Sequence, residues 1–186
     1  MEISKFANDI LRHGDFAVYP VEPIIRHGAA VRVEKQPDAT ALLEETVHTI
    51  RKWQQDGYET IAVICREEKE AAELAEQLKS YMEIVDCNPG TTEFGDGVMV
   101  LSVAYTKGLE FDAVLLYDPT QKKYPADNGH VKLLYVAATR ALHELVVLYH
   151  GNLSRILTDP VSKEKKQKVF AAETLTKACL LYTSDA

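Results

Sequence analysis

The sequence predicts an α/β fold with a mainly parallel sheet and helices on both faces, and two observations lead to it. Continuous runs of β-branched and leucine residues, IAVIC, VMVLSV, AVLLY and LVVLY, recur along the chain. Runs without polar alternation suit strands buried on both faces, as in a parallel sheet. Between them lie stretches with apolar residues at helical spacing, so strand and helix alternate as right-handed crossovers require.

Element by element, Phe6, Ile10 and Leu11 suggest a short amphipathic helix, followed by an irregular segment with Pro20 and Pro23. Residues 1–28 are read as a lead-in to the same domain, whose body runs over 29–158. A strand is expected at Ala30–Val33. After Pro37 and the cap Asp38, Leu43, Val47 and Ile50 form a stripe with Leu42 and Trp53 beside it, and Gly57 ends that helix. Thr60–Cys65 reads as a strand. The helix from Glu67 to about Tyr81 sets Ala71, Leu74, Ala75 and Leu78 on one face. Further strands are expected at Glu83–Asp86, Val98–Val103, Ala113–Tyr117 and Glu144–Tyr149, with a loop over Asn88–Gly97 and a helix through Leu133–Ala141. Trp53 and Tyr135 read as core aromatics. After Pro160 the character changes: SKEKKQK is a solvated basic run, and ACLLYTSDA resembles a translated sequencing-adapter read-through. Residues 159–186 are expected to be disordered or foreign to the fold.

Composition narrows the function classes. A chain of 186 residues with 46% hydrophobic and 26% charged residues suits one globular domain. No apolar run reaches the roughly 18 to 20 residues of a membrane span, and the charged N-terminus lacks a signal-peptide core. A cytoplasmic protein is expected. Cys65, Cys87 and Cys179 show no CxxC spacing and the histidines no HExxH pattern, so reduced thiols and no metal site are expected. The net charge of −7 counts against a free-standing nucleic-acid binder. It counts less against a motor domain, which grips only a few phosphates.

Two segments offer chemistry. The first runs strand, polar loop, strand, and presents the hydroxyl of Ser102, the ammonium of Lys107, the bare backbone of Gly108 and the carboxylate of Glu110. Loops at the ends of buried strands are where open α/β sheets place ligands. The second, Leu133 to Ala141, is apolar nearly all round as a helix, so its single charge, Arg140, must be paired or turned toward an anion at the domain edge. Each residue also has a bland reading. Arg140 would be a structural ion pair, Glu110 a solvated loop acid, Ser102 a strand-end hydroxyl, Lys107 and Arg66 surface cations, and Tyr105 exposed packing.

TKGLEFD, Thr106–Asp112, resembles motif V of UvrD/Rep-type superfamily 1 helicases, and LLYVAATRA, Leu133–Ala141, resembles motif VI. They stand in the family's order. IAVICR, ending at Arg66, is similar to the strand called motif IVa, and SKFANDIL to the helix after motif IV, so the resemblance spans residues 3–157. It implies a RecA-like three-layer sandwich, a P-loop-type fold without a P-loop, serving as the second motor domain of an ATP-dependent DNA helicase or translocase. Arg140 would be the arginine finger reaching the ATP γ-phosphate. Glu110, Gly108 and Lys107 would line the nucleotide cleft. Ser102, at the family's Thr position, and Arg66 would contact single-stranded DNA. Ala104 stands where the family often has a strand-contacting histidine, and Tyr105 would stack on a base instead. Gly129–Lys132 replaces the charged run that often precedes motif VI.

Absences shape the rest of the expectation. The sequence holds no GxxxxGK[ST] loop, and Asp118 is not followed by a second acid. The first RecA-like domain, with the phosphate loop and the Mg ion, is therefore expected elsewhere in a longer polypeptide, and the chain alone should not turn over ATP. Arg66 and Val98 lie too close together for the large helical 2B insertion, which favours the compact helicase IV/HelD-like group. In an alternative reading the same ATPase fold remodels RNA polymerase. A stand-alone nucleotide-binding α/β domain would need a phosphate cradle that the sequence does not show.

Overall fold

A computed structural model of the protein describes residues 2–16, 30–86 and 95–158. Its strands are β1 (Arg32–Gln36), β2 (Thr60–Cys65), β3 (Gly97–Ser102), β4 (Phe111–Tyr117) and β5 (Ala141–His150). Its helices are α1 (Ile3–Leu11), α2 (Ala39–Gln55), α3 (Glu68–Leu78), α4 (Asn128–Ala138) and the single turn α5 (Arg155–Thr158), with a 3-10 turn at Val103–Thr106. The strands form one sheet in the order β1-β5-β4-β2-β3, and every pairing is parallel.

The apolar runs divide their side chains between two cores because successive residues of a strand face opposite ways. Ala62 and Ile64 of β2, Val114 and Leu116 of β4, and Leu145 and Val147 of β5 meet Phe6 and Ile10 of α1 and Leu134 and Ala138 of α4. Their neighbours Ile61, Val63, Ala113, Leu115, Val146 and Leu148 meet Leu42, Ile50 and Trp53 of α2 and Leu74 and Leu78 of α3. The result is the three-layer α/β sandwich expected, with each fully buried large side chain contributing about 1.5–3 kcal/mol. The carboxylate of Asp38 accepts from the Ala41 N–H at 2.8 Å and starts α2 where its cap was expected. Gly57 stops that helix with φ +88°, a conformation that costs glycine little.

Several expectations shift. The strand expected at Ala30–Val33 begins at Arg32 and runs to Gln36. Glu83–Asp86 is not assigned as a strand: Val85 donates a backbone hydrogen bond to Val98 at 2.8 Å, and Ile84 is buried there. Helix α3 ends at Leu78 rather than near Tyr81, because Lys79, Ser80 and Tyr81 turn back onto the carbonyls of Ala75, Gln77 and Leu78. The helix through Ala141 stops at Ala138. Thr139 turns its hydroxyl back to the Val136 carbonyl at 2.9 Å, and Phe111 N–H donates to the Arg140 carbonyl at 2.9 Å, so the β4–β5 ladder claims Arg140 and Ala141. Trp53 is core as expected, whereas Tyr135 is half-buried. The Pro20–Pro23 segment, part of the Asn88–Gly97 loop, Cys87, Cys179 and the tail from 159 onward lie outside the described residues. No helix among the described residues is long and apolar enough to cross a membrane.

A register shift between Phe111 and Ala113 turns Asp112 out of the ladder and toward the start of β2. Its carboxylate accepts from Glu59 N–H at 3.0 Å, Thr60 N–H at 2.9 Å and the Thr60 hydroxyl at 3.0 Å. Burial pushes the Asp112 carboxyl upward, but the hydrogen bonds from Thr60 and Glu59, with His143 nearby, outweigh it and hold the group below its usual range. A carboxyl lowered in the folded state adds stability above its unfolded pKa, and that stability is lost as pH falls through the folded value. Asp112→Ala should therefore be less stable than the parent at pH 7, and the gap should narrow below about pH 4. Urea unfolding from pH 7 to pH 3 checks this.

Candidate functional site

The segment after β3 is short, and its path decides what it can do. Ser102 ends β3 level with Cys65 of β2, at the carboxyl end of the sheet. From there the 3-10 turn Val103–Thr106 and the residues Lys107–Glu110 lead back to the amino end, where β4 begins at Phe111. Thr106 is fully buried, its hydroxyl bonded to the Val103 carbonyl at 2.8 Å, and its carbonyl accepts from Leu109 N–H at 3.1 Å. These bonds pin the segment against α4 while leaving its outer side open. Tyr105 is 44% exposed, and Lys107, Gly108 and Glu110 are exposed as well.

Gly108 has φ +82°, and a Cβ added there would meet nothing within 4 Å. The position is therefore demanding for conformation and not for space. Gly108→Ala should cost about 1–2 kcal/mol through the left-handed backbone alone. It should also displace the next carbonyl, Leu109, on which Arg140 rests. A thermal melt compared with a Gly108→Asn variant, which tolerates that conformation better, tests the cause.

Arg140 sits at the amino end of the sheet, between α4 and β5, and is half-buried. Its Nε donates to the Val136 carbonyl at 3.1 Å, one terminal nitrogen to the Leu109 carbonyl at 3.0 Å, and the other to the Thr139 hydroxyl at 3.3 Å. All three acceptors are neutral. The guanidinium thus joins the end of α4 to the loop before β4 while keeping its full charge. It carries five N–H donors, so two remain for another acceptor. Among the described residues no carboxylate pairs with Arg140; two carbonyls and a hydroxyl hold it.

The sequence-predicted residues therefore fall into two groups at opposite ends of the strands. Arg140 and Glu110 gather at the amino end, with Lys107 and Gly108 on the way to it. Ser102 and Arg66 stand at the carboxyl ends of β3 and β2, with Tyr105 on the adjoining turn. Ser102 is only 4% exposed. Arg66 lies 5.8 Å over the Tyr124 ring, and one terminal nitrogen is 3.5 Å from His130 Nε2.

Around Arg66 is a group that sequence reasoning did not assemble. Lys123 bonds Glu70 and Asp118, each at 2.5 Å. Asp118 is buried at the end of β4 with φ +50°, and also accepts from His150 N–H at 3.0 Å. Burial pushes the Lys123 ammonium downward, but the hydrogen bonds to Asp118 and Glu70 outweigh it and hold the group above its usual range. Cys65, free and buried beneath, has its thiol pushed up by burial, and Tyr124 its phenol likewise. The signal available in the sequence was the Asp118 to Tyr124 stretch, with two adjacent lysines following a strand-end acid.

Residues 97–148 match the UvrD-like helicase C-terminal domain, a stretch that runs from the start of β3 into β5. A ribonuclease HII from Aeropyrum pernix is 26% identical over 170 residues, covering 91% of this chain and 74% of that protein. The crystal structure of the C-terminal domain of a possible DNA helicase from Lactobacillus plantarum WCFS1 superposes with a TM-score of 0.70 at 26% identity. That match covers 87% of this chain and 91% of the other. In its all-parallel sheet, in the matched segment from β3 to β5 and in its fold as a whole, the chain is similar to the C-terminal, RecA-like domain of UvrD-like helicases.

Proposed function

We propose that the chain is the second motor domain of an ATP-dependent superfamily 1 DNA helicase or translocase, of the compact helicase IV/HelD-like kind. Arg140 serves as its arginine finger. The observation that carries this reading is the Arg140 guanidinium: charged, fixed by three neutral acceptors, and with two N–H groups uncommitted. Such a group suits charge that develops on a phosphoryl group better than it suits a structural role, because its orientation is set before any anion arrives. ATP supplies the phosphoryl group, and a partnering domain with a phosphate loop holds it with Mg. Glu110 and Lys107 flank the same edge, and Gly108 lets a ligand approach the backbone.

The opposite group, Ser102, Tyr105 and Arg66, is assigned to single-stranded DNA. Placing nucleotide and strand contacts at the two ends of one short segment gives a direct mechanical link. A shift of the Leu109 carbonyl with Arg140 is carried through Lys107 and the 3-10 turn toward Tyr105. Ser102 is too buried to lead this contact, so Tyr105 and Arg66 carry most of it.

Fluorescence anisotropy of a labelled oligothymidylate with the whole chain tests the strand assignment. Binding that weakens with salt, and weakens further in Tyr105→Ala and Arg66→Ala, is the expected result. Cleavage of RNA without strand binding would favour the likeness to the ribonuclease. Capture of RNA polymerase without strand binding would favour the remodelling reading.

A further inference from the structure

The strand order places a topological switch between β2 and β4. Strand β2 leads through α3 to β3 on one side, while β4 leads through α4 to β5 on the other, and the two helices lie on opposite faces. A crevice opens at the carboxyl ends of two such strands, and open α/β sheets bind ligands there. In this chain it is a cavity of about 550 Å³ whose lining includes Arg66, Lys122, Lys123, His130, Glu70 and Pro125.

The charges in it are not equivalent. Lys123 is spent on Glu70 and Asp118, and Lys69 on the wall faces Glu73 at 3.8 Å. Glu70 is committed twice over, since it also accepts from Arg66 N–H at 3.3 Å. The carboxylate of Glu67 also lines the wall. Arg66 and Lys122 have no carboxylate partner among the described residues, and Lys122 is exposed. The Nε of Arg66 is buried without a hydrogen-bond partner. Its guanidinium is nonetheless held. The Tyr124 ring lies beneath it, and His130 Nε2 faces it. His130 Nδ1 is 2.7 Å from the Asp127 carboxylate. A proton on Nδ1 satisfies that contact and leaves Nε2 as the acceptor Arg66 needs.

We propose that this crevice is a phosphate subsite for the single strand, with Arg66 and Lys122 as its ligands and His130 as a positioning residue for Arg66. The proposal rests on the reading that the carboxyl end of the sheet faces nucleic acid. It adds to that reading Lys122 and His130, which lie outside the four segments similar to helicase motifs. A held guanidinium beside a free ammonium suits a phosphodiester, whose single negative charge is shared by two nonbridging oxygens that both accept hydrogen bonds.

The test measures oligothymidylate affinity of the full chain across a salt series, with Lys35→Ala as a control for loss of one positive charge. Lys122→Ala should weaken binding several-fold at low salt and lower the salt slope by about 0.7, the share of one phosphate contact on a single strand. His130→Ala should weaken it too, and His130→Gln, which restores an acceptor, should recover it. Pyrophosphate should compete with the strand in the parent and less well in Lys122→Ala. A parent that binds the strand while Lys122→Ala matches Lys35→Ala in slope and affinity would overturn the subsite and leave the strand reading standing. A parent that binds pyrophosphate through Lys122 but no strand would overturn both as stated, and so would a parent that binds neither.

Discussion

In a motor assembled from this chain and a phosphate-loop domain, Arg140→Ala is expected to lower ATP turnover about 10³- to 10⁵-fold, the scale on which an arginine finger acts. The loss should fall on kcat with little change in the KM for ATP, because the guanidinium meets charge that grows only as the phosphoryl group leaves. Arg140→Lys should rescue little. Lysine keeps the charge but cannot bond Val136, Leu109 and Thr139 together while still presenting free donors. Removing the guanidinium also leaves the carbonyls of Val136 and Leu109 without this donor. A stability loss of about 1–3 kcal/mol should accompany the kinetic one. Thermal melts of the same variants separate the two: a folded Arg140→Ala protein with absent turnover fits the finger, and a turnover loss that follows unfolding does not.

The largest effect on stability is expected at Trp53. It is 1% exposed on α2, and its indole N–H donates to Glu144 at 2.6 Å, while the Tyr58 hydroxyl donates to the other oxygen of the same carboxylate at 3.3 Å. Burial and the Glu144 carboxylate together hold the Tyr58 phenol above its ordinary range. Trp53→Ala removes the ring and the shorter of the two hydrogen bonds to the Glu144 carboxylate. It should cost about 3–5 kcal/mol, a large share of the roughly 5–15 kcal/mol that holds a domain together. For a chain of this length the melting point should drop by about 10 °C. Trp53→Phe keeps most of the apolar contact and loses the bond. A smaller drop there, enlarged back toward the Ala value by nothing but the missing donor, would show how much belongs to Glu144. Scanning calorimetry of both variants measures it.

Much of this architecture was legible because its strands are buried on both faces. The runs ending in Cys65 and Tyr117 announce themselves by having no polar alternation, and β2 falls on Thr60–Cys65 as read. Asp38 and Gly57 bounded α2 for reasons local to the chain. The misread ends have a common cause. At Arg140 and Ala141 the helical pattern LLYVAATRA continues in sequence, but a backbone hydrogen bond from Phe111, distant in the chain, ends it. The segment Glu83–Asp86 offered a strand-like composition but is not assigned as a strand. Arg140 stood out as a lone charge in an apolar stretch, whereas its partners could not, since two of them are backbone carbonyls. The crevice at the end of β2 was invisible for a related reason. Arg66 is far in sequence from Lys122 and His130, and the order of strands brings it to them.

If this chain supplies half of a composite ATP site, ATP turnover by the chain alone is the decisive measurement. It should be measured with and without single-stranded DNA, beside Arg140→Ala. No turnover is expected in any sample, because the sequence holds no phosphate loop for Arg140 to act upon. Turnover by the parent that Arg140→Ala abolishes would contradict it, since the chain would then build the whole site by itself.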